Sequence, residues 1–198
     1  MIIIGLTGSI AMGKSEVAKI FKNQGVPVFD SDLEVHRLYA SSEGAKLLEP
    51  IVPGAILNES IDREKLSKLV LQDPTLLAKV EKLVHKEIAT SREIFISESL
   101  KAGMPIVVLD IPLLFETAAD KQVDLTIVIS SPEKSQHERA MARSGMTPDK
   151  LNLILARQMP DSEKRKRANY VIENLSSLDE LSHKTKVVLS HIRKNQKP

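Results

Sequence analysis

Cysteine and tryptophan are both missing from the 198 residues, and only two Tyr and four Phe are present. Without thiols there is no disulfide, no thiolate nucleophile, no Cys-ligated zinc and no iron–sulfur cluster. Aromatics at 3% do not supply a platform for stacking nucleic-acid bases. An excess of charge of one sign is lacking too. The 28 Lys+Arg stand against 26 Asp+Glu, and a net charge of +2 is too mild for a nucleic-acid groove. Long hydrophobic runs are absent. The longest apolar stretch, Ile106–Phe115, is broken by Asp110 and Pro112, so no membrane-spanning helix is expected. The opening M-I-I-I-G-L has no basic segment before its short apolar run, so no secretory leader is expected and the cytoplasm is the default location. There is no internal repeat, no low-complexity linker and no sign of a macromolecular partner.

What is present is an ordinary globular composition, 42% hydrophobic and 27% charged, with a core to be built from Ile, Leu, Val and Ala. Ile2–Leu6 is wholly apolar and β-rich, which predicts a strand buried on both faces. Val26–Asp30, Ile106–Asp110, Leu125–Ser130 and Tyr170–Glu173 predict four more. Helical spacing over Ser15–Asn23, closed by Gly25, makes the opening a βαβ pattern. From Asp32 to Leu100 strand signals become rare. One helix is predicted to start at Asp62, and a longer one at Pro74 with Leu76, Leu77, Val80, Leu83, Val84 and Ile88 on one face. Further helices are predicted over Pro132–Ser144, from Thr147-Pro148 to about Gln158, and over Leu178–Arg193, with a tail from Lys194 that frays. The expected architecture is one α/β unit over 1–198. Residues 1–31 and 101–198 form a core with a five-stranded parallel sheet flanked by helices, and 32–100 form a helical insertion.

The strongest chemical signal is the run Gly8, Ser9, Ile10, Ala11, Met12, Gly13, Lys14, Ser15. It fits G-x-x-x-x-G-K-[ST] and lies between a predicted strand and a predicted helix, with Glu16 directly after it. Two glycines let the backbone curl until successive N–H groups point into one concavity, and the helix start adds its positive dipole end. Lys14 can neutralise β- and γ-phosphate oxygens, and the Ser15 hydroxyl can ligate Mg²⁺. The residues therefore predict a site for a nucleoside triphosphate. No N-K-x-D element is present, which counts against a GTPase switch.

Asp30-Ser31-Asp32 follows the second predicted strand, on the carboxyl edge that also carries the phosphate loop. A carboxylate there can take a proton from an acceptor hydroxyl, or can cap the next helix; a third reading is a metal cluster of Asp30, Asp32 and His36. Arg139, Arg143, Arg157, Arg165 and Arg167 fall on helical templates within 137–168, as in a mobile lid that adds positive charge to a transition state. Arg139 and Arg143 are expected to share a helix face at i, i+4, whereas Lys164–Arg167 alone reads as a solvated charged face.

Taken together these residues resemble the dephospho-CoA kinase family nearly end to end. The likeness is carried by Ile4–Ser15, by V-P-V-F-D-S-D-L-E-V-H (Val26–His36), by I-D-R-E-K-L (Ile61–Leu66), by V-L-D-I-P-L-L-F-E (Val108–Glu116), and by Arg139, Arg143 and the pair Arg157-Gln158. The resemblance implies a P-loop kinase core with a helical substrate-binding insertion and a helical lid. It implies transfer of the γ-phosphate of ATP to the 3′-hydroxyl of dephospho-CoA, with Mg²⁺. By the same likeness Lys14, Asp32, Arg139 and Arg143 would be catalytic. Gly8 to Glu16 would hold the nucleotide, and Asp32, His85, Pro112 and Leu113 would meet the acceptor. Ser15 and Asp110 would face the metal. The sequence departs from the family at Ala11, where glycine is common and where the methyl group is accommodated if φ is negative. It departs at Glu16, where threonine is common and whose carboxylate is expected to point away along the helix. Lys86 replaces the proline that usually follows the histidine. Asn174-Leu175-Ser176 lacks the glycine expected after asparagine, so no adenine contact is expected there.

Overall fold

The computed structural model describes residues 1–175 and 177–195; Ser176 and the end of the expected fraying tail, 196–198, lie outside the described residues. The chain divides into two compact units, Met1–Phe29 with Ser99–Pro198, and Asp30–Glu98.

The first unit is a five-stranded parallel sheet in the order β2-β5-β1-β6-β7, with β1 over Ile2–Thr7, β2 over Val28–Asp30, β5 over Ile106–Asp110, β6 over Leu125–Ser130 and β7 over Tyr170–Glu173. The wholly apolar runs of β1, β5 and β6 go to the middle because a parallel sheet is covered on both faces. The central β1 sets Leu6 beside Asp110 on one side and Thr7 beside Val128 on the other. One face is covered by α1 (Lys14–Asn23) and α9 (Leu178–Asn195): Val17, Phe21, Leu181, Leu189 and Ile192 pack against Ile4, Leu6, Ile127 and Ile129. The other face closes so tightly on β1 that a Cβ at Gly5 would meet Leu114 Cδ2 at 2.9 Å. Three shorter helices lie between β6 and β7 in sequence: α6 (Glu133–Met141), α7 (Pro148–Ala156) and α8 (Asp161–Arg167). Thr147 caps α7 through Lys150 N with Pro148 in the first turn, as its sequence predicts.

The second unit is helical, with α2 (Ser31–Ala40), α3 (Ser42–Leu48), α4 (Arg63–Gln72) and most of α5 (Pro74–Lys101). Its core is Leu48, Val52, Ala55, Ile61, Leu66, Val80 and Val84. A small antiparallel pair, β3 (Ile56–Leu57) with β4 (Ser60–Ile61), goes beyond the expected helices. Asn58 and Glu59 turn it with φ of 49° and 57°, a left-handed pair that neither residue signals as strongly as glycine would. Asp62 then caps α4 through the N–H groups of Glu64 and Lys65. No helix among the described residues is long and apolar enough to cross a membrane.

The crossing of α2 and α3 depends on one glycine. A Cβ at Gly44 would meet Leu38 O at 1.8 Å, so the two backbones approach as only glycine permits. Gly44→Ala is expected to destabilise the protein by about 1–3 kcal/mol in urea unfolding. Gly54→Ala, whose added carbon meets nothing nearer than 3.7 Å, is expected to stay within about 0.5 kcal/mol of the parent. Equal midpoints for the two variants would contradict the close crossing.

Candidate active site

The chain leaves β1 at the carboxyl edge of the sheet, curls through residues 8–13 and enters α1. Gly8 lies against β6, where a Cβ would meet Ile129 O at 2.7 Å. Gly13 has φ 104°, and a Cβ there would meet Asn174 Nδ2 at 2.3 Å. The sequence pattern needs glycine at both places for these two contacts. Inside the curl, Met12 N–H donates to Ser9 O at 3.2 Å, and Glu16 and Val17 N–H donate to Gly13 O. Among the described residues no protein group accepts from the N–H of Ala11, Gly13, Lys14 or Ser15. Such donors at a helix start, reinforced by the helix dipole, make a receptor for an anion. Lys14 Nζ pairs with Asp110, which is 2% exposed at the end of β5, and Ser15 is exposed on the first turn of α1. Glu16 N–H donates to Gly13 O at 3.1 Å, and its carboxylate accepts from Lys19 Nζ at 2.8 Å.

Three carboxamides hold the outside of the curl. Gln136 Nε2 donates to Ile10 O, Ile10 N–H donates to Gln158 Oε1, and Asn174 Nδ2 donates to Met12 O, each at 3.0 Å. Asn174 is 162 residues from its partner, and Gln136 is 126. No local pattern announces either role, although Gln158 stands in the Arg157-Gln158 pair of the family likeness. Ala11 corrects a sequence expectation. Its φ is +61°, not negative, at a cost of about 1–2 kcal/mol for an L-residue in that region. Its methyl is buried against Ala140 and Leu151, which offsets about 0.8 kcal/mol of that cost.

The segment after β5 is tied to the same edge, where Ile111 N–H donates to Leu6 O and Thr7 Oγ1 donates to Pro112 O, both at 3.0 Å. Leu113 is exposed beside them. Glu116 Oε1 accepts from Met159 N at 2.7 Å and lies 2.9 Å from Lys164 Nζ. Lys164 therefore overturns the expectation of a solvated face over Lys164–Arg167. It is 0% exposed, while its neighbour Arg165 pairs with Glu173 at 2.7 Å and donates to Ser130 Oγ. The helix α8 packs on β6, and one face of a charged run goes inward with its counter-charge. Arg139 is half-buried and donates to Ser131 Oγ, whose hydroxyl donates to Asn174 O. Arg143 does not share its helix face. The helix α6 ends at Met141, and Arg143 is exposed in the turn closed by Gly145 at φ 71°.

In the helical unit, the choice between cap and free carboxylate resolves by residue. Asp30 accepts from Leu33 N at 3.0 Å and caps α2. Asp32 is exposed in the first turn with no protein hydrogen-bond partner among the described residues. The Asp30, Asp32, His36 metal reading finds no support, because no group of three such side chains gathers among the described residues and His36 Nδ1 lies 3.1 Å from Arg63 NH1. His85 is exposed on α5.

The buried ion pair gives a direct test of the packing around the site. Lys164→Ala strands Glu116 and is expected to cost about 3–5 kcal/mol, whereas exposed Lys166→Ala is expected to stay within about 0.5 kcal/mol. Thermal unfolding with similar losses for both would contradict the inward placement of Lys164.

The chain is similar to known proteins in sequence and in fold. A model of the family described as dephospho-CoA kinase matches residues 2–180. The dephospho-CoA kinase of Brucella melitensis is 48% identical over 181 residues, 91% of this chain and 90% of that protein. Among solved structures, TT1252 from Thermus thermophilus matches with a TM-score of 0.80 and 37% identity over 96% of this chain and 97% of that one. The dephospho-CoA kinase from Campylobacter jejuni matches with a TM-score of 0.73 and 25% identity over 98% of both. With a family model spanning this much of the sequence, and a relative this similar over nine-tenths of both proteins, the chain belongs to the dephospho-CoA kinase family.

Proposed function

We propose that this chain transfers the γ-phosphate of ATP to the ribose 3′-hydroxyl of dephospho-CoA, the step that completes coenzyme A. The observation that carries the reading is the loop of Gly8–Ser15, in which four N–H groups without a protein acceptor lie beside Lys14. Family membership supplies the acceptor.

Phosphoryl transfer asks the protein for position and neutralised charge rather than for a covalent intermediate. The acceptor oxygen forms its bond to the γ-phosphorus as the bond to the β–γ bridging oxygen breaks, and ADP leaves with that electron pair. The N–H groups of Ala11, Gly13, Lys14 and Ser15 hold phosphate oxygens, and the Lys14 ammonium offsets charge on the β and γ groups. Asp32, relieved of capping by Asp30, takes the proton of the 3′-hydroxyl. Arg139 and Arg143 bring positive charge from the segment between β6 and β7, which acts as the lid over 137–168. Pro112, Leu113 and His85 meet the acceptor. Ser15 Oγ and the Asp110 carboxylate are hard oxygen donors of the kind Mg²⁺ takes beside phosphate and water, and they would hold it. That ion would supply charge neutralisation at the β- and γ-phosphates. Both substrates are small molecules, and the reading sets the reaction in the cytoplasm with no nucleic acid, membrane or macromolecular partner.

An ADP-release assay with and without dephospho-CoA tests this reading. ADP formation is expected to depend on dephospho-CoA; equal release with other nucleosides or nucleotides would replace the acceptor, and release without any acceptor would make the chain a hydrolysing switch. Lys14→Ala is expected to lower kcat at least about 10²-fold while the cooperative unfolding transition persists. Asp32→Asn is expected to slow transfer at least about 10²-fold with ATP affinity unchanged. Turnover equal to the parent would return Asp32 to an ordinary helix-surface carboxylate.

A further inference from the structure

The loop that receives the nucleotide is gripped at one residue from both sides. Ile10 N–H donates to Gln158 Oε1 and Ile10 O accepts from Gln136 Nε2, both at 3.0 Å. The backbone forces these roles, since an N–H only donates and a carbonyl only accepts. Gln136 is 7% exposed on α6, and Gln158 is half-buried two residues beyond the end of α7.

A trans peptide unit points its C=O and the following N–H in opposite directions. Holding Ile10 O on the outside therefore turns Ala11 N–H to the inside, among the donors of the concavity. The same logic links Met12 O, held by Asn174, to Gly13 N–H. The Ile10–Ala11 peptide is under a particular bias in this chain. Ala11 has φ +61°, which alanine disfavours, and rotating that peptide would return φ to the preferred negative range. The rotation would also swing Ala11 N–H out of the concavity. Gln136 opposes it by holding the carbonyl, and the buried contact of the Ala11 methyl with Ala140 and Leu151 opposes it from the side.

We propose that Gln136 and Gln158 are positioning residues for ATP: a two-sided clamp on Ile10, in which Gln136 holds the Ile10–Ala11 peptide in its phosphate-receiving orientation against the preference of Ala11, Gln158 holds the preceding Ser9–Ile10 peptide, and together they couple the loop to α6 and to the end of α7. The proposal rests on the reading of the Gly8–Ser15 loop as the ATP site. The clamp is needed because residue 11 is alanine; with glycine at 11 the peptide has little bias to rotate.

The test measures ATP affinity by direct binding, and KM for ATP and for dephospho-CoA by steady-state kinetics. Gln136→Met, close in shape but without a donor, is expected to weaken ATP binding about tenfold and raise KM for ATP alike, with KM for dephospho-CoA within about twofold of the parent. The same exchange to glutamate is expected to act oppositely at the two sites. Gln136→Glu sets a carboxylate against a carbonyl and weakens ATP binding at least as much as Gln136→Met. Gln158→Glu keeps an acceptor for Ile10 N–H and weakens it less than Gln158→Met. Adding Ala11→Gly to Gln136→Met is expected to recover about threefold or more of the lost affinity, which a bulk packing defect would not do. Unchanged ATP affinity in Gln136→Met, equal effects of the two glutamate variants, or no recovery with Ala11→Gly would overturn the clamp while leaving the ATP site standing. A parent protein that binds no ATP would overturn both.

Discussion

Main-chain N–H groups with no acceptor of their own are the constraint on which the rest of this structure depends. Unpaired donors are costly when buried, so folded proteins pair nearly all of them. Here four are gathered at Ala11, Gly13, Lys14 and Ser15, within a loop whose outward carbonyls are engaged by glutamine and asparagine side chains. Donors fixed before a ligand arrives need not reorganise when it does, and this preorganisation makes them effective against developing charge. The sheet supplies the rigidity. With β1 central, the loop emerges beside the ends of β5 and β6, and Lys14 pairs with Asp110 at the end of the neighbouring strand β5.

Much of this was legible in the sequence, for identifiable reasons. The central strands announced themselves because burial on both faces leaves runs such as I-V-V-L-D with one polar residue, and that residue, Asp110, sits at the functional end. The starts of α4 and α7 followed from Asp62 and from Thr147-Pro148, since a cap is a local bargain between a side chain and the next turn. The phosphate loop was legible because its signal is local: two glycines, Lys14 and Ser15 fall at fixed spacing in the run Gly8–Ser15, between a strand and a helix.

What escaped was set by distant residues. Lys164 sits in a run of four basic residues, and nothing local says that Glu116 awaits it in the interior. Arg143 follows Arg139 at helical spacing, but α6 already ends at Met141 and Arg143 falls in the turn that Gly145 closes. The β3–β4 pair has two residues in each strand, too few for alternation to register. Ala11, at φ +61°, packs with Ala140 of α6 and Leu151 of α7, both far from it in sequence. Among the candidate site residues, the structure engages Lys14, Asp110, Pro112 and Arg139 in specific contacts, and leaves Ser15, Asp32, Leu113, Arg143 and His85 turned to solvent.

Titrating ATP with Mg²⁺ into ¹⁵N-labelled protein and following backbone amides tests the central claim most directly. The amides of Ala11, Gly13, Lys14 and Ser15 are expected to shift most, downfield as each acquires an acceptor, while Ile10, already bonded to Gln158, moves little. Saturation that leaves those four amides in place while others move, or no shift at all, would contradict the account.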